Sequence, residues 1–307
     1  MRKISSLHCI LILLYFALPL FGAQNSSQNT KEGKSSEEEK KTEQIEVIDK
    51  VEEIGGISRW QSANYPVLAR GINIFTPRTL RRNSLLVVID HRPRQRLKKN
   101  AFHDFLGFDA GGLKIGLGLR YGLFDCLETG LYRLNGTAEV FDVYEFDLKY
   151  LVLKEENHFI DLALRCGLTW FSQPGMKDAS GFFTQILGSK TCLGRVSLTT
   201  GLLYHSDSSN DLKSAADTDY SLAIPALIEV RLCGKLAWDL EMAANIAGYG
   251  SKWPAVSSGL KIITNRHTFS LVFSNTQYIS ADGIVANSGR GFKDTIFGFT
   301  ITREFDL

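Results

Sequence analysis

The sequence predicts an all-β protein: a single closed antiparallel transmembrane β-barrel of about twelve strands, behind a signal peptide and a disordered N-terminal segment. Three observations predict it. Apolar and polar residues alternate with period two in run after run, tight and long connections take turns between the runs, and the only long apolar stretch stands at the very start. The alternation is clearest from Gly112 to Arg133. There Leu113, Ile115, Leu117 and Leu119 fall on one side of an extended chain, while Lys114, Gly116, Gly118 and Arg120 fall on the other. A helix would scatter those leucines around its circumference. Apolar outside with charge or glycine inside is the pattern of a barrel wall facing lipid.

Residues 1–23 read as a secretory signal peptide: Arg2 and Lys3 precede the apolar run 7–21, and Gly22 and Ala23 are small. That run is shorter than the ~20 residues a membrane-spanning helix needs, which disfavours a single anchor. Without residues 1–23 the 35 Lys and Arg become 33, equal to the 33 Asp and Glu, and no basic excess or stacking motif points to nucleic acid. Residues 24–56 are Ser, Asn, Lys and Glu with almost nothing to bury, so a disordered tether is expected, with a short helix over 37–53 as the alternative. Residues 57–82 change character: Trp60, Tyr65, Ile72, Ile74 and Phe75 suggest an ordered connector, or a plug in the barrel mouth.

The barrel itself is placed at 83–307. Its strands are expected at 84–91, 112–120, 126–134, 143–153, 158–168, 182–188, 192–205, 220–232, 235–247, 255–263, 267–277 and 296–305. Their lengths bracket the ~9–11 residues that a tilted strand needs to cross a bilayer. Tight turns are expected at 121–125, 154–157, 189–191, 233–234 and 264–266, and long loops at 92–111, 135–142, 169–181, 206–219, 248–254 and 278–295. The strict alternation of the two kinds sets all turns at one end. An even strand count then returns both termini to that end, which is the periplasmic one in barrels of the bacterial outer membrane. A soluble β-sandwich predicts neither feature.

Four phrases occur together and in order: Val88-Ile89-Asp90-His91-Arg92, the run from Leu117 to Asp125, Phe146-Asp147-Leu148-Lys149-Tyr150, and the run from Phe297 to Phe305. Over about Thr79 to Phe305 the chain resembles a family of uncharacterised, predicted outer-membrane β-barrel proteins of diderm bacteria. Pro93 departs from the aromatic and glycine expected after His-Arg, so the first strand is expected to end differently. The resemblance implies fold and location and brings no activity with it.

Setting each apolar face toward lipid puts Lys114, Arg120, Lys149, Arg165, Arg195, Arg231 and Lys261 inside, with Glu145, Asp147, Asp161, Glu229, Asp239, Glu241 and Glu304, so the two signs balance. The glycines of the inner wall relieve crowding or allow bending. Trp170, Trp253, Tyr278 and Phe292 lie at strand ends or in loops, where an aromatic girdle at the membrane interface is expected of some of them. Phe297, Phe299, Ile301 and Phe305 share one face of the last strand with Arg303, as an assembly signal would for the barrel-assembly machinery.

No cofactor fingerprint, phosphate loop or metal motif is present, and Cys126, Cys166, Cys192 and Cys233 lack C-x-x-C spacing. A register whose paired numbers sum to about 424 sets Cys192 opposite Leu232, next to Cys233, and leaves a disulfide open there. Tyr204-His205-Ser206-Asp207-Ser208 loosely resembles the sites of outer-membrane phospholipases and lipid A deacylases, where histidine is the base for a serine. Its spacing misses their His-x-Ser arrangement, and a polar loop start accounts for the same residues. The chain is therefore expected not to be an enzyme. Two readings compete: a narrow, charge-lined pore or transporter for a small solute, and a non-conducting structural or adhesive barrel presenting its outer loops. Outer-membrane lipid is the expected surroundings in both, and the oligomeric state is left open.

Overall fold

Twelve strands hydrogen-bond to their sequence neighbours, and the last returns to the first, closing an antiparallel barrel. They are β1 (Ser84–Arg92), β2 (Lys114–Phe124), β3 (Leu127–Leu134), β4 (Asp142–Leu153), β5 (Asp161–Ser172), β6 (Ala179–Cys192), β7 (Val196–His205), β8 (Ser221–Cys233), β9 (Leu236–Gly248), β10 (Ala255–Ile263), β11 (His267–Ser274) and β12 (Ile296–Asp306). The computed structural model describes residues 69–97, 113–136, 141–175, 177–208 and 220–307. The expected signal peptide, the expected tether and residues 57–68 of the connector lie outside the described residues. Closure rests on eight pairs between β1 and β12, from Ser84 with Asp306 to His91 with Phe299. No helix among the described residues is long and apolar enough to cross a membrane.

Strand burial follows the sequence alternation. Leu117, Leu119, Phe146, Leu148, Leu164, Leu168, Phe182, Ile186, Phe269, Leu271 and Phe273 are exposed on the outside, while their neighbours along each strand point inward and are mostly buried. Fixed charges at the middle of that outer face would cost about 2–4 kcal/mol each in lipid. At the long-loop end, Tyr144, Trp170, Phe182, Tyr204 and Tyr220 make ring contacts from β4 round to β8, with centroids 5.4 to 6.3 Å apart. Tyr278 does not join that belt. It packs beside a buried cluster that contains Leu134, Phe141, Phe171 and Ile279.

Four connections differ clearly from expectation. The β2–β3 turn narrows from 121–125 to 125–126, because β2 stays paired with β3 as far as Phe124. The β6–β7 turn sits at 193–195 rather than 189–191, because Leu193 and Gly194 take the positive φ angles the turn requires (53° and 64°). The loop joining β5 to β6 shrinks to 173–178 as both strands continue past their expected ends. The link from β4 to β5 grows to 154–160, as long as the 135–141 loop at the other end, so the length alternation is a tendency and not a strict rule. The β7–β8 register is also displaced: Val196 pairs with Val230, Cys192 with Val196, and Cys233 with Leu236. The two cysteines thus belong to separate hairpins, and all four described cysteines are free.

Candidate functional site in the barrel interior

The inner wall is where the sequence concentrates its chemistry. Lys114, Arg120, Glu145, Asp147, Lys149, Arg165, Glu229, Asp239, Glu241 and Lys261 all point inward and are buried. Four of the expected lining residues are elsewhere or only partly inside. Arg195 has the inward parity but stands in the exposed turn, beyond the end of its strand. Arg231 and Asp161 are half-buried at strand ends and bond to turn backbone: Arg231 donates to the Gly234 carbonyl and Asp161 accepts the Glu155 N–H. Glu304 is likewise half-buried.

Three wall charges escape the sequence reading: Asp90 and Arg92 on β1 and Glu128 on β3, all fully buried. Strand β1 is apolar on both faces over Leu85–Ile89, so its parity is ambiguous until Asp90. The alternation Glu128-Gly130-Tyr132 did mark the inner face of β3, though opposite a face that mixes Thr129 and Arg133 with leucines. With these included, seven buried acids on the described strands meet six buried bases.

Nine of these thirteen charges form two clusters. On one wall Arg120 grips Asp147 with both terminal nitrogens (3.0 and 2.7 Å) and Glu128 through Nε (2.8 Å). Arg165 bridges Asp147 (2.9 Å) and Glu145, and Lys149 reaches Glu128 at 3.0 Å. Gly130 makes room: a Cβ there would lie 2.4 Å from Arg120 Nη1 and 2.7 Å from Asp147 Oδ2. On the other wall Lys261 is shared by Glu229 (2.8 Å) and Asp239 (2.7 Å). Charges so far from water persist only when paired and hydrogen-bonded.

The interior is not empty. Residues 69–80 run through it, folded on themselves by Gly71 N–H to Ile74 C=O (2.8 Å) and Thr76 N–H to Ala69 C=O (3.0 Å). The wall holds this segment by its backbone. Glu241 accepts the N–H groups of Ile72 (2.5 Å), Asn73 (2.8 Å) and Ile74 (3.3 Å). Lys149 donates to the carbonyls of Ala69 (3.2 Å), Thr76 (3.1 Å) and Arg78 (2.5 Å). Glu128 accepts the Leu80 N–H at 2.7 Å. The Phe75 ring sits among three cations, with Arg165, Arg120 and Lys149 at 3.8, 4.7 and 5.5 Å from its centre.

A second occupant enters from the long-loop end. The 275–295 connection folds inward and forms α1 (Ala281–Val285), whose residues are all buried. Ala281, Ile284 and Val285 pack against Phe183, Leu203, Ala223, Ala243 and Ala255, where alanines on the wall leave space for the helix. The Ala281 N–H donates to Glu145 at 2.8 Å. Between the two occupants and the wall a cavity of about 30 Å³ is left, room for one or two waters.

His205 is fully buried on the inner wall, stacked on Phe183. Its Nδ1 accepts the Asp207 N–H at 3.1 Å, so Nε2 carries the proton toward Thr169 Oγ1 at 2.9 Å. Ser206 Oγ accepts the Phe182 N–H, and Ser208 pairs with Ser221. Among the described residues no group of three His, Cys, Asp or Glu is arranged to hold a metal ion. On β12, Phe299 stacks on His91 (4.5 Å), Phe297 leans on Phe273 (5.4 Å), and Ile301 and Phe305 face outward with them, half-buried.

A family model described as a membrane bound β-barrel domain (DUF5777) matches residues 69–305. No curated protein matches the chain. Among solved structures it is similar to an active-site mutant of outer membrane phospholipase A from Escherichia coli (12% identity, 80% of this chain and 96% of that one, TM-score 0.43). It is also similar to the COG4313 outer membrane channel from Pseudomonas putida F1 (14%, 74% and 97%, TM-score 0.41). A third is the NanC porin (10%, 73% and 100%, TM-score 0.44). At these identities the likeness concerns the fold alone.

Proposed function

We propose that this chain, which belongs to the DUF5777 family of membrane bound β-barrel domains, is an outer-membrane barrel holding a narrow pore for small solutes shut with its own 69–80 segment. The observation that carries this is the clamp on that segment's backbone, Glu241 on three N–H groups and Lys149 on three carbonyls. Such contacts are ones that water can replace, so withdrawal of the segment would leave a polar, wettable wall. Side chains fill barrels of ~8 strands and ~16–18 leave an open channel, so a twelve-stranded wall is wide enough to need a filler and narrow enough to be sealed by a short one.

The apolar seat of α1 favours the second reading, a non-conducting barrel that presents its loops, because apolar contacts are not exchanged for water without cost. In both readings the barrel is not an enzyme. His205 is enclosed between Phe183 and Thr169, which supports a packing role. Lipid surrounds the apolar belt, the assembly machinery reads the face of Phe297, Phe299, Ile301 and Phe305, and both termini lie on the periplasmic side.

Planar-bilayer recording of the purified full-length protein tests the choice. The unmodified protein is expected to give only rare, small conductance steps, and Lys149→Met to give them far more often. Large steady currents from the unmodified protein would refute the closed plug. A K149M variant that folds and stays silent would hand the function to the non-conducting reading.

A further inference from the structure

The plug segment does more than fill space: it seats a guanidinium group in a site that belongs to the wall. Arg70 Nη2 donates to both oxygens of Asp90, at 2.8 and 2.7 Å. The same carboxylate accepts the Tyr132 hydroxyl at 2.9 Å and the Thr300 hydroxyl at 2.5 Å, with Arg92 Nη2 3.5 Å away. The guanidinium carbon of Arg70 lies 5.9 Å from the centre of the Tyr132 ring. A desolvated carboxylate beside an aromatic face is the chemistry that recognises a planar cation.

The site is built into the wall rather than improvised around Arg70. Tyr132 lies across Gly116 and Gly118 of the neighbouring strand, where a Cβ would fall 1.7 Å from the Tyr132 hydroxyl and 2.9 Å from its ring. The cavity of about 30 Å³ adjoins it, lined in part by Arg70, Tyr132 and Thr300. Charge points the same way. The buried wall residues number one more acid than base, so withdrawing Arg70 leaves Asp90 short of a cation in an interior that is already acidic.

We infer that Asp90, Tyr132 and Thr300 form a binding site for the guanidinium group of a small cationic solute, and that Arg70 occupies it in the closed state as an internal competitor. The assignment of a permeant to this site rests on the pore reading above; the existence of the site does not.

The test uses full-length Arg70→Ala with methylguanidinium chloride as probe, read in two ways. In heat-modifiability gels R70A should unfold at a lower temperature than the unmodified protein. Millimolar methylguanidinium should restore most of the loss, saturably, while equal sodium or tetramethylammonium chloride should not. R70A combined with Asp90→Asn should show no restoration. In bilayers R70A should open more often, and methylguanidinium should reduce the openings over the same concentration range. Restoration in the gels with a silent bilayer would keep the site and refute the pore. Openings in R70A with methylguanidinium no better than sodium in either assay would overturn the site and keep the pore. Should R70A fail to fold, Arg70→Lys keeps the charge without the fork, and methylguanidinium must then stabilise that variant above sodium or the inference falls.

Discussion

On the proposed plugged-pore reading, replacing Glu241 with glutamine isolates the anchor of the 69–80 segment without changing its volume. The carboxylate gives Oε1 to Ile72 and Ile74 and Oε2 to Asn73. A glutamine that keeps its carbonyl on Ile72 turns its NH₂ toward the Asn73 N–H, donor against donor. One buried N–H then lacks an acceptor, at a cost of about 1–3 kcal/mol, and the remaining bonds fall from charge-assisted to neutral strength, losing about 1 kcal/mol each. The change also removes an anion from beside Asp239, which offsets part of that loss. A net of about 2 kcal/mol against the plugged state is expected, which is about 30-fold in the ratio of released to seated plug. Single-channel recording of E241Q should show open probability raised by roughly that factor. Open probability within threefold of the unmodified protein, in a variant whose heat-modifiable migration is normal, would refute the claim that Glu241 holds the segment.

Three further changes probe the same architecture. Gly71→Ala would place a Cβ 2.3 Å from Glu241 Oε1 and 2.9 Å from Leu227 Cδ2, so it should open the channel as E241Q does, and the two together should give less than the product of their effects. Deleting residues 301–307 removes six of the eight β1–β12 pairs and leaves β1 an unpaired edge in lipid, so the folded, heat-modifiable band should vanish; its persistence would show that closure does not need those pairs. Phe75→Ala and Glu145→Gln act on a common chain of contacts, and a double-mutant cycle in open probability should give a coupling of at least ~0.5 kcal/mol, with strict additivity counting against the chain.

How much of this was legible in the sequence depends on what carries each contact. Where side chains alternate on a strand, a one-dimensional pattern reports a three-dimensional face, and Glu145, Asp147, Lys149 and Arg165 were placed inside by counting alone. Arg195 shows the limit of the same rule. Parity says which way a residue points but not where the strand stops, and only the left-handed backbone at Leu193-Gly194 ends β6 four residues later than the composition suggested. On β1 the limit is different. Leu85, Leu86, Val87, Val88 and Ile89 suit either face, so Asp90 and Arg92 gained an inward assignment only once β12 and β2 paired with that strand.

The occupants of the interior were harder to read, and the reason is physical. The 69–80 segment is bound through backbone N–H and C=O groups that every residue except proline supplies in full, so its residues carry no periodic signature of what they do. Gly71 is the exception, since the approach of Glu241 excludes any side chain there. The seat of α1 left a fainter trace in Ala223, Ala243 and Ala255, small residues where a wall facing an empty lumen has no need of them. What no linear pattern holds is the junction of the two fillers. Phe75 stacks on Arg165, Arg165 pairs with Glu145, and Glu145 accepts the Ala281 N–H, so four residues from four separate segments make one line of contact across the barrel. Because each link shares a group with the next, loosening the plug at Phe75 weakens the hold on Arg165 and so on the carboxylate that receives α1. The two ends of the barrel are thereby joined by charge through its middle, although nothing in the order of the chain sets those segments side by side.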